Sequence, residues 1–446
     1  MISVSGVRGI VGESLTPDIV SKFSAAFGTF CHGGKVVVGR DARKSGLMMT
    51  DSVTAGLRAV GCSIVDLGVV TTPTIQFCVK AHRADGGVAI TASHNPIQWN
   101  AMKFMDRDGV FLDSRAGSRL IDLYEKGPID YVPWDRIGDV SRDPRGAERH
   151  ADHILKVIDG SLVSDLKPSV AIDCCDSSSS SILQILLERL GCSVTPVHCD
   201  LNGAFPRGPE PTPVNLTELS DQVRETGADI GFATDPDGDR LSIVDEKGRP
   251  LGEEYSVTLA TKFVLDRSPG PVVTNVATTK AVQDIAEEFG CDFYRAPVGE
   301  VNVVKRMIDT GAIIGGEGNG GVINPAIQYA RDAPAAMALI LDGLCRFGDE
   351  LSQLMGEIPH YVMIKKKVPF DPGKWENLLE EIKNYFEGEP IDLTDGIRVE
   401  RDSGWIYVRK SGTEPIVRVI CEAKTKGNAL ALSRETTQLV TELLEE

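Results

Sequence analysis

The chain has 446 residues, of which 42% are hydrophobic, and its formal net charge at neutral pH is −17. This length exceeds what a single hydrophobic core usually supports, so we expect about three domains. The acidic excess argues against general nucleic-acid binding and against binding to an anionic membrane surface. No apolar run approaches the ~20 residues of a membrane span. The ten cysteines lack C-x-x-C spacing, which favours a cytoplasmic protein with reduced thiols.

In chain order, a predicted helix over 17–30 precedes a pattern that occurs three times: buried strand, polar loop, amphipathic helix, Gly-Cys stop and second strand. The first strands are predicted at 36–39, 170–173 and 271–275, the second and third helices at 182–190 and 281–289, and the closing strands at 63–67, 193–197 and 292–296. Glycine after a helix is typical of a C-terminal cap. Because strands alternate with helices, we predict three similar α/β domains with mainly parallel strand pairing.

After 365–367 the pattern changes, and a helix over 375–386, short strands and a closing helix predict a smaller α+β domain. The stretch 128–146 is rich in Pro, Asp and Arg and separates the first unit from the second. We therefore predict domains at 1–150, 151–250, 251–365 and 366–446.

The first candidate for chemistry is Thr91-Ala-Ser-His-Asn-Pro96, which follows a short apolar run that reads as a buried strand. Open α/β sheets bind ligands beyond the carboxyl ends of their strands. The Asn-Pro pair favours a turn, which would hold the hydroxyl of Ser93 in a fixed loop. Alone, this tetrapeptide is more often an ordinary polar turn, and two further stretches favour the functional interpretation.

The second candidate is Asp235-Pro-Asp-Gly-Asp-Arg240, which follows the apolar residues 230–233. Carboxylates at i, i+2 and i+4 in such a loop can converge on one hard cation, because Mg²⁺ and Ca²⁺ prefer oxygen ligands. An EF-hand loop also begins D-x-D-x-D, but it needs Gly at the sixth position, where this chain has Arg240. A solvated acidic turn is the other alternative. Three close carboxylates repel one another, which favours a metal site.

The third candidate is Arg409-Lys-Ser-Gly-Thr-Glu-Pro415, with Arg418 beyond it, between two predicted strands. Two hydroxyls, backbone N–H groups freed by Gly412 and two guanidinium groups would form a phosphate cradle. It is not a P-loop, because G-x-x-x-x-G-K-[ST] does not occur, and alone it could be a hairpin tip. An anionic substrate needs a locally basic cleft in this acidic chain, for which the candidates are Arg8, Arg40, Lys103, Arg240, Arg409 and Arg418.

Together these stretches resemble the α-D-phosphohexomutase family, and the resemblance extends from Gly6-Val-Arg-Gly9 to the Arg409 loop. It implies three similar mixed α/β domains, a smaller α+β C-terminal domain and an active site in the central cleft. It also implies that Ser93 is phosphorylated, that a phosphoryl oxygen on Ser93 joins Asp235, Asp237 and Asp239 in holding one Mg²⁺ per chain, and that a sugar 1,6-bisphosphate is the activator.

Further roles follow from the same resemblance. The Arg409 loop would grip the substrate's other phosphate through Arg409, Ser411, Gly412, Thr413 and Arg418. Arg240 would support the metal loop, Arg8 would lie near an anion, and Lys103 with His94 would manage the proton of the sugar hydroxyl. The substrate would be a small hexose phosphate, and the chain is a possible homo-oligomer.

The glycine-rich stretch Gly315-Gly-Glu-Gly-Asn-Gly-Gly321 formally contains G-x-G-x-x-G. A dinucleotide fingerprint must open a helix, and the following Val-Ile-Asn-Pro does not. The family resemblance places a sugar-recognition loop here, often G-E-x-S-G-H. Glu317 matches it, whereas Asn319 replaces Ser and Gly321 replaces His. The family's N-G-x-K becomes Asn-Ala-Met-Lys103.

Two other classes of protein, a serine hydrolase and a non-catalytic sensor, would share some of these features with a mutase. A serine hydrolase would release its product to water, but no G-x-S-x-G occurs. A non-catalytic sugar-phosphate sensor would have no need for Ser93 and three aspartates. Within the family, the residues at 3–9 and 316–321 most resemble those of members that act on glucosamine phosphate. Mannose and glucose phosphates are the alternative substrates.

Overall fold

The computed structural model describes residues 2–3, 6–412 and 414–445. The chain divides into two compact units. Unit 1 consists of Met1–Phe263 and Asn319–Gly356, and unit 2 of Val264–Gly318 and Glu357–Glu446. Within the described residues, no helix is long and apolar enough to cross a membrane. All ten cysteines are free thiols.

The first sheet of unit 1 has seven strands in the order β1-β2-β6-β5-β3-β4-β7. Its strands are β1 (Ile2–Ser3), β2 (Gly6–Ile10), β3 (Lys35–Arg40), β4 (Ser63–Val69), β5 (Gly86–Ile90), β6 (Trp99–Met105) and β7 (Val140–Arg142). Its helices are α1 (Pro17–Phe30), α2 (Gly46–Ala59), α3 (Thr72–Ala81) and α4 (Ser114–Glu125). Strand β3 pairs in parallel with β4 and β5, whereas β6 pairs antiparallel with β5 and β2. The sheet is therefore mixed, and its core is closed by apolar side chains of α1 such as Phe23 and Phe27.

The second sheet of unit 1 has the order β11-β10-β8-β9. Its elements are α5 (Gly146–Val157), α6 (Ser161–Leu166), β8 (Ser169–Asp173), α7 (Ser179–Arg189), β9 (Ser193–Val197), α8 (Thr217–Thr226), β10 (Ile230–Thr234) and β11 (Leu241–Asp245). Strand β8 is parallel to β9 and β10, and β11 is antiparallel to β10. Helix α7 begins at Ser179, three residues before the predicted start, because buried serines replace the apolar residues that usually indicate a helix.

The third copy of the pattern follows α9 (Glu254–Arg267). It contains β12 (Val272–Asn275), α10 (Lys280–Glu288), β13 (Phe293–Ala296), α11 (Glu300–Thr310), β14 (Ile314–Glu317), β15 (Gly321–Ile323), α12 (Ala333–Phe347) and α13 (Leu351–Leu354). In unit 2, β12 is parallel to both β13 and β14. In unit 1, α12 packs against α6 and α7.

The C-terminal part of unit 2 is an antiparallel sheet in the order β16-β20-β19-β18-β17. Its elements are β16 (Val362–Pro369), α14 (Trp375–Tyr385), β17 (Ile391–Asp392), β18 (Ile397–Arg401), β19 (Gly404–Lys410), β20 (Ile416–Ala423) and α15 (Lys426–Glu445). Single 3₁₀ turns occur at Trp134–Arg136, Pro213–Asn215 and Pro372–Lys374. One face of the sheet carries the core under α14 and α15, and the other buries Trp405 and Tyr407 against Val276. The prediction of a smaller α+β domain is confirmed.

The three Gly-Cys stops follow helices α2, α7 and α10. Their glycines, Gly61, Gly191 and Gly290, have φ angles of 86°, 74° and 65°. This left-handed conformation suits glycine and ends a helix. The predicted repeat of strand, helix, cap and strand is therefore confirmed. Strands β5 and β10, which lie outside the repeat, pair in parallel with β3 and β8 and run at their carboxyl ends into polar loops.

Candidate functional site

The loop after β5 holds Ser93 in an uncommon backbone conformation. Its φ is 49°, and serine rarely adopts this left-handed region without support from its surroundings. The Ser93 Oγ donates to Oδ2 of Asp235 at 2.7 Å and lies 3.3 Å from Nδ1 of His94. The backbone N–H of Ser93 donates to the Thr91 hydroxyl at 2.9 Å. The hydroxyl is thus aimed at the acidic loop after β10.

The side chain of Arg43 holds the Ser93 loop in place through hydrogen bonds. Its side chain is fully buried, and its Nε lies 3.0 Å from Oδ2 of Asp41. The guanidinium donates to four carbonyls of the loop, at 2.6, 2.8, 2.8 and 3.1 Å, which belong to Ser93, Asn95, Pro96 and Trp99. The sequence predicted a polar loop after β3, but nothing local indicated that this arginine turns inward.

The acidic loop brings Asp235, Asp237 and Asp239 together. All three are buried, and one carboxylate oxygen from each lies within 4.8 Å of the others. The backbone N–H groups of Asp239 and Arg240 donate to Oδ1 of Asp235 at 3.2 and 3.3 Å. No other group of three metal-ligating side chains occurs in the part of the chain that the structure describes.

The donor set of this loop suits a hard divalent cation. Among the described residues, no group hydrogen-bonds Oδ1 of Asp237 or Oδ1 of Asp239, although both atoms are buried. Burial and the charges of the other two aspartates raise the pKa of Asp235 well above its usual value. A cation would give the unpaired oxygens a partner and would offset the repulsion among the carboxylates. Mg²⁺ prefers oxygen ligands of this kind.

Two cationic side chains, in addition to Arg240, contact the same carboxylates. The Nζ of Lys103 lies 2.6 Å from Oδ2 of Asp237 and 3.8 Å from Oδ2 of Asp239, and the Nη2 of Arg331 lies 2.5 Å from Oδ2 of Asp239. Burial opposes the charge of Lys103, but Asp237 and Asp239 outweigh it and raise the pKa of Lys103. Burial also opposes ionisation of Asp237, yet Lys103 holds the pKa of that carboxyl well below its usual range. Lys103 and Asp237 therefore form a charged pair.

Three other predicted site residues surround this pair. Burial lowers the pKa of His94 to about 2, with help from Arg240, so its imidazole is neutral. The Nη1 of Arg8 donates to Oδ1 of Asn95 at 2.8 Å. The side chain of Arg240 pairs with Glu210 at 2.8 Å, and its Nε also lies 3.9 Å from Oδ1 of Asp239. Its backbone N–H donates to Asp235.

Unit 2 contains Glu317 at the end of β14. Its Oε1 accepts from Nδ2 of Asn275 and from the backbone N–H of Gly299, both at 2.8 Å, and the residue is buried. Asn319 belongs to unit 1, where its Oδ1 accepts from the Gly321 N–H at 3.2 Å. The residues after Glu317 form a strand, β15, which confirms that the glycine-rich stretch does not open a helix.

The basic loop between β19 and β20 also lies in unit 2. Arg409 and Arg418 are direct cross-strand partners, so both project from the same face of the sheet. Arg409 pairs with Asp395 at 3.0 Å, and the Ser411 Oγ accepts from the Glu414 N–H at 3.3 Å. Gly412 is exposed, and a side chain added there would meet nothing within 4 Å. Thr413 lies outside the described residues.

Four family models match this chain in order. They describe phosphoglucomutase/phosphomannomutase alpha/beta/alpha domains I, II and III, over residues 2–128, 148–248 and 252–361, and the C-terminal domain, over residues 363–438. The chain belongs to the phosphoglucomutase/phosphomannomutase family. It is therefore a phosphohexomutase, an isomerase that moves a phosphoryl group within its substrate.

Relatives cover this phosphohexomutase along its whole length. A probable phosphoglucosamine mutase of Methanopyrus kandleri is 37% identical over 99% of this chain and 98% of that protein. A phosphoglucomutase/phosphomannomutase of Thermococcus kodakarensis is 36% identical over 99% of this chain and 97% of that protein. The solved structure of a Burkholderia thailandensis phosphoglucomutase/phosphomannomutase family protein has 26% identity and a TM-score of 0.86, over 99% of this chain and 98% of that one.

Besides those of Arg43, three further contacts of this phosphohexomutase were not predicted from its sequence. Thr72, at the start of α3, donates from its hydroxyl to Oδ2 of Asp237 at 2.8 Å. Arg331 reaches Asp239, as described above. In unit 2, Lys367 is the cross-strand partner of Arg418, so it extends the basic face of the sheet. The run Lys365-Lys-Lys367 was the available signal for the last contact, because alternate lysines of a strand share one face.

Proposed function

We propose that this phosphohexomutase interconverts glucosamine 6-phosphate and glucosamine 1-phosphate, through a phosphoserine at Ser93 and a bisphosphorylated sugar. The observation that carries the chemistry is the Ser93 hydroxyl, which hydrogen-bonds Asp235 at 2.7 Å at the edge of a buried carboxylate cluster. A probable phosphoglucosamine mutase that is 37% identical supports the sugar.

In this proposal Asp235, Asp237, Asp239 and an oxygen on Ser93 hold one Mg²⁺. The ion, when bound, neutralises charge that develops on the phosphoryl group. The unpaired oxygens of Asp237 and Asp239 support this ligand set. Arg240 supports the loop through its backbone N–H, which bonds Asp235.

From the family motif, Lys103 is the candidate for moving the proton of the sugar hydroxyl. Its ammonium, held against Asp237, can donate a proton to a sugar oxygen, whereas taking the hydroxyl's proton requires the neutral amine. His94 is neutral and lies 3.3 Å from the Ser93 oxygen, so it suits the role of orienting a phosphoryl oxygen better than that of a general acid. Arg8 would fix the loop through Asn95 and add a positive charge beside it.

Recognition of the second phosphate is assigned to the basic loop between β19 and β20. Arg409, Ser411, Gly412 and Arg418 would bind the phosphate that is not being transferred, and Thr413 is assigned the same role from the sequence motif alone. Either phosphate of the bisphosphorylated intermediate must be bound in this way, because the intermediate has to turn around between the two transfers. A sugar 1,6-bisphosphate would act as activator by phosphorylating Ser93.

Glu317 carries the argument for the sugar. Its carboxylate could pair with an ammonium group at C2, and Asn319 offers both a donor and an acceptor. A charge-assisted contact is stronger than a neutral one by about 1 kcal/mol, or roughly fivefold in binding, so the preference for glucosamine phosphate should be measurable but not absolute.

The alternative is a phosphomannomutase/phosphoglucomutase, which the 36% identical Thermococcus kodakarensis relative supports by its name. We expect the highest kcat/KM with glucosamine 6-phosphate when glucosamine, mannose and glucose phosphates are compared under one Mg²⁺ concentration and one bisphosphate activator. Glu317→Gln should lower the glucosamine preference by about fivefold, with Ser93→Ala as the inactive control. A lead of about tenfold, or ~1.4 kcal/mol, for mannose or glucose phosphate would establish the alternative.

A further inference from the structure

Gly321, the first residue of β15, leaves room for an arginine. A Cβ added to Gly321 would lie 2.2 Å from Cδ and 3.0 Å from Cγ of Arg331. The backbone of Gly321 is not in the left-handed region, so its conformation does not require glycine. Glycine is required instead by the available space, because a side chain at 321 would collide with the aliphatic stem of Arg331.

The backbone of Arg331 is fixed by its neighbour Asp332. The Asp332 N–H donates to the carbonyl of Val322 in β15 at 2.9 Å, and the Asp332 carboxylate accepts from the Ala335 N–H at 3.0 Å, which caps α12. The same carboxylate lies 2.9 Å from Nε2 of the buried His150. Arg331 is thus attached to a rigid helix start and has little freedom to move away from β15.

The other end of Arg331 is fixed at the metal loop. Its side chain is only 11% exposed, and its Nη2 lies 2.5 Å from Oδ2 of Asp239. Among the described residues, Oδ1 of Asp239 has no hydrogen-bond partner. The guanidinium therefore occupies one oxygen of this carboxylate and leaves Oδ1, which lies 3.9 Å from Nε of Arg240, without a hydrogen bond.

We propose that Arg331 is a positioning residue for Asp239, and that glycine at 321 is required because only glycine lets the arginine reach it. The inference rests on the proposed magnesium site. In this chain the stem of Arg331 fills the volume into which a side chain at 321 would project, and 321 is the position at which the family's sequence motif has histidine.

The test is a double-mutant cycle on Gly321→Ala and Arg331→Ala in the full chain. The measurement is the Kd of Mg²⁺, by calorimetric titration with magnesium chloride, on protein whose Ser93 state is checked by intact mass. Loss of an outer-shell partner of a metal ligand typically weakens binding by roughly 10–100-fold. We expect each single variant to raise the Kd by about tenfold or more.

The double variant should bind Mg²⁺ no more weakly than Arg331→Ala alone, since the collision disappears with the arginine stem. Arg331→Lys should recover part of the affinity, because it restores a donor to Asp239. Gly427→Ala is the matched control: a Cβ there meets nothing within 4 Å, and its Kd should equal that of the wild type.

Three results would overturn the inference. Additive effects of Gly321→Ala and Arg331→Ala would mean that the two residues act separately. Tighter Mg²⁺ binding by Arg331→Ala would show that the arginine only repels the cation. An unchanged Kd with a lower unfolding temperature would show a purely structural role. If wild type and Asp237→Ala bind Mg²⁺ equally, the magnesium site itself fails, and that outcome is distinct from all three.

Discussion

Replacing Arg43 by methionine should release the Ser93 loop. The change keeps an unbranched apolar stem but removes the counter-ion of Asp41, which is buried at 1% exposure, and the donors to four loop carbonyls. Breaking a buried ion pair from one side typically costs about 3–5 kcal/mol, because the remaining charge stays buried. Each carbonyl left without a donor adds about 1–3 kcal/mol where water cannot reach it, and little where water can. We therefore take about 3–5 kcal/mol as the lower bound of the loss for the loop.

Hydrogen exchange of the amides at 91–99 measures this loss locally, which suits a chain of several domains better than a global unfolding curve. At about 1.4 kcal/mol per factor of ten, exchange should be faster by roughly 100-fold or more. Phosphorylation of Ser93 should fall as well. The loop no longer holds the φ of Ser93 at 49°, and the Ser93 hydroxyl loses its hydrogen bond to Asp235. Exchange within about threefold of wild type would refute this reasoning.

Two controls separate charge from geometry. Arg145→Met removes an exposed pair with Glu148, and such pairs are worth about 0–1 kcal/mol. Burial raises the pKa of Asp41, and Arg43 opposes the rise. Without Arg43, the pKa of Asp41 in the folded protein rises further above its value in the unfolded chain. The stability lost on Arg43→Met should therefore shrink as the pH falls through the folded-state pKa of Asp41. Adding Asp41→Asn should restore part of the stability but not the phosphate uptake.

Ser93→Ala should abolish mutase activity with an unchanged fold, and intact-mass analysis should detect phosphate on the wild type only; an active Ser93→Ala enzyme would disprove the phosphoserine. Chelation should stop turnover reversibly, and Asp237→Asn should lower activity by at least about 100-fold, since even an outer-shell partner is worth roughly 10–100-fold; full metal-dependent activity would place the ion elsewhere. A hydrogen bond to Asp173 raises the pKa of His198 despite partial burial. That stabilisation is complete below the unfolded value of about 6.5 and is lost as the pH rises through the folded pKa. The unfolding temperature of the wild type should therefore exceed that of His198→Gln at pH 6 and approach it at higher pH; a constant difference would contradict this.

The sequence indicated those parts of the site that depend on neighbouring residues. Ser93 follows a buried strand and precedes an Asn-Pro turn, and three aspartates alternate in one loop, so both features could be predicted from local pattern. The cap glycines at the three helix ends were predictable for the same reason, because a left-handed residue is a local requirement.

The remaining contacts depend on how distant segments meet. Thr72 and Asp237 are 165 residues apart in the chain, and Arg331 and Asp239 are 92 apart. No periodicity or motif in one stretch specifies such a pair. Arg43 illustrates the difficulty most clearly, since a charged residue in a polar loop is usually exposed, and only the folded chain shows that it satisfies four carbonyls.

The charges around the acidic loop would explain how an acidic chain could hold a phosphoryl group. With a cation bound, the three buried aspartates would carry three negative charges, while Lys103, Arg331 and Arg240 pair with them and carry three positive charges. A bound Mg²⁺ would then leave this cluster with an excess of two positive charges. A phosphate on Ser93 contributes about two negative charges at neutral pH, so the cluster would be balanced. Without Arg331 the same phosphate would face an excess of only one positive charge. Local placement of cations, rather than the net charge of the chain, would therefore decide whether a phosphoserine is stable here.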